Sequence, residues 1–168
     1  MHKHLKIILI AIVFACCTLI AFGVRRYYAL RQSFYKDLTS FCSDLKLSIQ
    51  GSNKKLITII EECKEKYKGE FCLFLCHYED YLLNRIPKDE FYLLTKFEYL
   101  STHEKLQICS FFDELGKLTY DEEIEKIVGS ERIFQEYGSI STTEQKKYSS
   151  LYFKLFVVLG LLVCILFL

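Results

Sequence analysis

Proline occurs once in the 168 residues and glycine seven times, so collagen-like and low-complexity classes are excluded, and so few breakers leave little room for strands and turns. Excess charge is also missing. With 22 basic against 21 acidic residues and no basic tail, the chain lacks the electrostatic footprint of a nucleic-acid binder. There is no glycine-rich phosphate loop, no paired-histidine zinc motif and no Gly-x-Ser-x-Gly turn. What is abundant is apolar: 51% of the residues are hydrophobic, too many for a disordered chain.

Much of that material sits at the two ends. Ile7 to Val24 runs 18 residues without a charge, and Leu155 to Leu168 a further 14. An 18-residue helix rises about 27 Å, close to the roughly 30 Å of a bilayer's hydrocarbon core. The first run is longer than a signal-peptide core and no small-x-small site closes it, so it reads as a retained anchor. Val13-Phe14-Ala15-Cys16 is a poor lipoprotein site because of the bulky Phe14. The second run reaches membrane length from Leu151 if Lys154 snorkels to the headgroups. Beside the runs, Arg25, Arg26, Arg31, Lys36, Lys146, Lys147 and Lys154 face the middle segment, and only Lys3 and Lys6 face away. The positive-inside rule therefore puts the middle in the cytosol. The expected organisation is an N-terminal transmembrane anchor (1–24), a cytosolic helical domain (25–150) and a C-terminal transmembrane helix (151–168).

The middle reads as an all-α antiparallel bundle. Leu30, Phe34, Leu38, Phe41, Leu45 and Ile49 keep one helical stripe. Gly51 offers a left-handed C-terminus, and Ser52-Asn53 a fresh N-cap. Leu56, Ile57, Ile60, Cys63 and Tyr67 form a second apolar face, closed by Gly69. Phe71, Leu75, Tyr78 and Leu82 form a third, which meets Pro87. Pro87 suits the first turn of a short helix carrying Phe91, Leu94 and Phe97. Ser101-x-x-Glu104 is a capping box ahead of Leu106, Cys109, Phe112 and Leu115, with Gly116 at the stop. Thr119-x-x-Glu122 repeats the pattern. Gly129 and Gly138 predict a kink or break behind it, and Ser141-x-x-Glu144 a start for the last helix.

Five of the eight cysteines, Cys42, Cys63, Cys72, Cys76 and Cys109, fall in the middle domain within apolar helical patterns. An odd number of buried thiols favours the reduced state. Cys72-x-x-x-Cys76-His77 places two thiols on one helical face, but His77 is rotated about 100° away, so metal ligation is awkward and ordinary buried thiols are the simpler reading. A redox-sensitive pair stays open. His103 reads as a solvated helix-start residue, and Asp121-Glu122-Glu123 with Glu125 as acids complementing a helix dipole. The 26 Tyr and Phe residues exceed what so small a domain can bury. A partner surface is therefore expected on the aromatic-rich helices around Tyr78, Tyr81, Phe91 and Tyr92.

Two spans bracketing a helical domain, with Phe112-x-x-Leu115-Gly116-x-x-x-x-Asp121 and a terminal Tyr152-x-x-Leu155-x-x-x-x-Gly160-Leu161-Leu162-x-x-Ile165-Leu166, resemble the stage III sporulation protein AB family. Ile49-x-Gly51 followed by Leu56 is similar as well, although Asn53-Lys54-Lys55 stands where that pattern has Thr-Pro. The resemblance implies a fold like the cytoplasmic domains of the type II secretion inner-membrane platform protein F. It implies a non-enzymatic platform in the outer forespore membrane, its domain in mother-cell cytoplasm. The platform would couple a cytosolic secretion-type ATPase, the stage III sporulation AA protein, to the other membrane proteins of that operon. No cofactor, metal, nucleic acid or small-molecule substrate is implied, and homo-oligomerisation stays open. Two alternatives remain: a membrane-anchored thiol enzyme or redox sensor using Cys72 and Cys76, and an unrelated helical membrane adaptor.

Overall fold

The computed structural model describes residues 2–51, 54–88 and 96–167. Among them every regular element is helical: α1 (His2–Gly51), α2 (Leu56–Lys66), α3 (Gly69–Leu82), α4 (Thr102–Glu114), α5 (Tyr120–Glu144), a π-helical turn (Gln145–Ser149) and α6 (Ser150–Phe167). The chain divides into two compact units, one of residues 1–32 with 140–168 and one of residues 33–139. Both α1 and α5 contribute to each.

The 33–139 unit is built on the expected α1 stripe. Phe34, Leu38, Phe41 and Leu45 are buried, while Leu30 and Ile49 at its ends are half-buried. Aromatic rings join the helices: Phe34 meets Phe71 edge-on at 5.5 Å, Phe41 stacks on Phe112 at 5.5 Å, and Phe74 meets Phe112 at 4.7 Å. Such pairs add about 0.5–1.5 kcal/mol each beyond their burial. Gly69 and Gly116 take positive φ, +69° and +75°, at the α2–α3 and α4–α5 junctions, where a Cβ would be strained.

Several sequence expectations are corrected. Gly51 is not left-handed; it is the last residue of α1. The N-cap position of α2 is Lys55, without a side-chain cap, and Ser52 and Asn53 lie outside the described residues. The helix expected from Pro87 also falls mostly outside them, at 89–95. Phe97 beyond it is half-buried, 5.6 Å from Phe34. Gly129 and Gly138 do not interrupt α5, because its buried Ile127 and Phe134 pin the helix on either side of Gly129. Ser141 starts no helix: it is a fully buried interior residue of α5, and the irregularity comes later, at the π turn.

Leu106 is 62% exposed rather than part of the α4 core. Steps of three drift by about 60° each on a helix turning 100° per residue, so Leu106 points opposite Leu115. The buried α4 face is instead Glu104, Ile108, Cys109, Phe111 and Phe112.

In the other unit, antiparallel pairing is read from residues whose numbers rise on one side as they fall on the other. Phe22 meets Phe153 at 6.5 Å, Tyr28 stacks on Tyr148 at 6.1 Å, and Arg31 pairs with Glu144. Gln32 Nε2 donates to Thr142 Oγ1 at 3.2 Å. Gly160 is buried, and a Cβ there would stand 3.1 Å from a Phe14 ring carbon and 3.7 Å from the Cys17 Cβ. The stretch of α1 from Ala11 onward is long and apolar enough to cross a membrane.

Candidate interaction surface

Two of the four aromatic residues expected to meet a partner are placed. Tyr78 is not on the surface: it is fully buried, and its hydroxyl donates to the Phe112 carbonyl at 2.8 Å. Burial pushes its phenol well above the usual range. Aromatic composition points to Tyr78 as a partner residue, but its spacing from Phe71 and Leu75 makes it part of a core stripe, which buries one face of α3 whatever its aromatic content. Tyr81 is half-buried, its hydroxyl 3.3 Å from Asp113 Oδ1. Phe91 and Tyr92 lie outside the described residues.

Cys72 and Cys76 are free thiols, half-buried rather than buried, on consecutive turns of α3. The Cys72 thiol lies 3.6 Å from the Lys64 carbonyl. Burial raises the Cys76 thiol above its ordinary value, with the neighbouring Cys72 second, which lowers its thiolate content at neutral pH. Cys42, Cys63 and Cys109 are buried and free, and burial raises the last two to about 11. No group of three metal-ligating side chains occurs among the described residues.

The acidic start of α5 is tied to the preceding loop. Glu122 accepts from the Thr119 amide at 3.1 Å and its hydroxyl at 2.6 Å, so only the reach-back half of the expected capping box forms. These donors hold the Glu122 carboxyl below its usual range. Glu123 accepts from the Gly116 amide at 2.8 Å. Exposed His103 has Nδ1 3.1 Å from the Tyr137 hydroxyl.

A groove of about 690 Å³ runs along the seam of α4 and α5. Those helices run antiparallel: His103 faces Tyr137, Phe111 meets Phe134 edge-on at 5.5 Å, and Lys126 Nζ pairs with Glu114 at 2.7 Å. Phe111 and Phe134 form the floor, and Leu106, Leu118 and Ile133 the exposed apolar walls. Gly129 and Ser130 line it from α5. Sequence reasoning missed this groove, although two signals bore on it. Leu106 is apolar on the wrong face of its helix, and Gly129 costs helix stability in mid-helix.

Compared with known protein families, residues 6–168 match the model described as Stage III sporulation protein AB. Neither the curated proteins nor the solved structures yield a match. The matched span takes in all the residues that carry the sequence resemblance, from Ile49 and Gly51 at the end of α1 to Leu166 in α6.

Proposed function

This chain belongs to the stage III sporulation protein AB family, and we propose from that membership that it is a non-enzymatic membrane platform of a sporulation transenvelope complex. It couples a cytosolic ATPase to the channel between mother cell and forespore. The observation that carries this reading is the family match over nearly the whole chain, from residue 6 to residue 168. A two-pass arrangement is supported by the antiparallel packing of Phe14, Cys17 and Phe22 against Gly160 and Phe153. The excess of Lys and Arg beside the middle segment supports a cytosolic, mother-cell location for residues 25–150. A helical unit carried on two membrane helices can hold register against a motor without a nucleotide site of its own.

The partners in this reading are the stage III sporulation ATPase and the other membrane proteins of its operon. Co-purification of the detergent-solubilised chain with that ATPase tests it, with ATP hydrolysis measured in the presence and absence of the chain. A stable complex with altered turnover is expected. No complex under any nucleotide condition overturns the coupling role and leaves a helical membrane adaptor.

A second reading, a thiol redox sensor, has one observation in its favour: Cys72 and Cys76 interact side by side and are less buried than Cys42, Cys63 and Cys109. Rapid alkylation of the folded protein at neutral pH at these two positions supports the sensor, and slow alkylation removes it.

A further inference from the structure

We propose that the α4–α5 groove is a docking site for an amphipathic helix of a partner protein, one with an apolar stripe and Lys or Arg residues at one end. Its shape supports a helix. Lining positions recur at steps of three and four, Glu122, Glu125, Gly129 and Ile133 on α5 and His103, Leu106 and Ser110 on α4. From Glu122 to Phe134 the α5 side extends about 18 Å, room for about three helical turns. A small ligand is a poorer occupant, because ligand sites enclose most of the molecule's surface, whereas the Leu106 wall is 62% exposed.

Gly129 is the second observation. A mid-helix glycine lowers helix stability relative to alanine. Packing does not demand it here, since a Cβ at Gly129 would meet nothing within 4 Å. What the missing side chain does is keep the groove wall low where an incoming helix would cross.

Charge selects the occupant. At the α5 N-terminal end Glu122 and Glu125 line the groove, with exposed Asp121 beside them. The lysine that lines the groove, Lys126, is already paired with Glu114. The apolar walls therefore end in an acidic mouth, complementary to basic residues at one end of a bound helix.

The test uses the full chain in zwitterionic nanodiscs and two fluorescent helical peptides with the same leucine stripe, one with a lysine-rich end and one with a glutamate-rich end. Empty discs provide the background. At low salt the basic peptide is expected to bind at least tenfold tighter than the acidic one, and the difference to shrink as salt is added. Gly129→Leu should weaken the basic peptide at least tenfold while raising rather than lowering Tm, so lost binding is not lost fold. Glu122→Lys with Glu125→Lys should invert the preference between the peptides.

Binding no greater than to empty discs overturns the proposal, as do equal affinities for the two peptides or indifference to Gly129→Leu. A dimer of the chain that Gly129→Leu dissolves would overturn it too, by making a second copy the occupant. The readout concerns the groove alone, whether or not the sporulation ATPase supplies the helix, so it can fail while the platform role stands.

Discussion

Tyr78 donates to a carbonyl in the last turn of α4, where no amide further along the helix is available to donate to it. A residue that looked like surface is thus a tie between α3 and the end of α4. Tyr78→Phe keeps the ring contact with Phe112 at 4.9 Å and removes only the hydroxyl. The expected cost is about 1–2 kcal/mol, read as a lower unfolding midpoint without change in helix content. An unchanged midpoint would mean that water serves the carbonyl equally well. The sequence was transparent at Ser101 and Glu104, whose capping box forms with both bonds, because capping is local chemistry. It was opaque at Leu106, because which side of a helix is inside depends on helices far away in the chain.

The helices themselves were largely legible, and their ends less so. Gly69 and Gly116 mark junctions because only positive φ reverses the chain there without strain. Gly129 and Gly138 looked alike in the sequence, yet each sits inside a 25-residue helix. A penalty of about 1 kcal/mol per glycine is smaller than the packing of a long helix returns. The π turn at Gln145–Ser149 had no sequence signature. It carries one more residue per turn than an α-helix, so α6 is set back in phase relative to α5.

The close approach at Gly160 makes the pairing of α1 with α6 testable. Its virtual Cβ lies 3.7 Å from the Cys17 Cβ, inside the range disulfides require. Gly160→Cys is therefore expected to cross-link to Cys17 under mild oxidation, provided the Phe14 ring shifts slightly. The product runs faster on a non-reducing gel, and Cys17→Ser abolishes it. Deleting one residue from Gln145–Ser149 rotates α6 by about 100° and should suppress the cross-link. A cross-link that persists would separate the phase of α6 from the π turn.

For the whole chain, buried thiols and paired carboxylates set opposite limits on pH. Burial holds Cys63 and Cys109 neutral up to about 11, against 9.0 for an ordinary thiol. The unfolded chain releases those protons first, so stability is complete below pH 9 and is lost as pH rises towards 11. At the acid end Lys88 and Lys117 hold Asp113 below its usual range, and Lys126 and Ser110 do the same for Glu114. Stability from these groups is present above the ordinary carboxylate range and disappears as pH falls through it. Unfolding midpoints in detergent should therefore plateau between about pH 5 and 8 and decline on both sides. Replacing Cys63 and Cys109 by Ala should flatten part of the alkaline limb, and a midpoint constant through pH 11 would contradict this account.

The pairing of Arg31 with Glu144 also has a temporal side. The two residues are 113 positions apart. At about 5–20 residues per second, a ribosome needs roughly 6–23 s after making Arg31 to supply its counter-charge. During that interval Glu144 cannot neutralise the guanidinium, so α1 must be tolerable to the cell before this ion pair exists. Its partner can clasp it only afterwards, which makes the finished pair an outcome of biosynthesis rather than its guide.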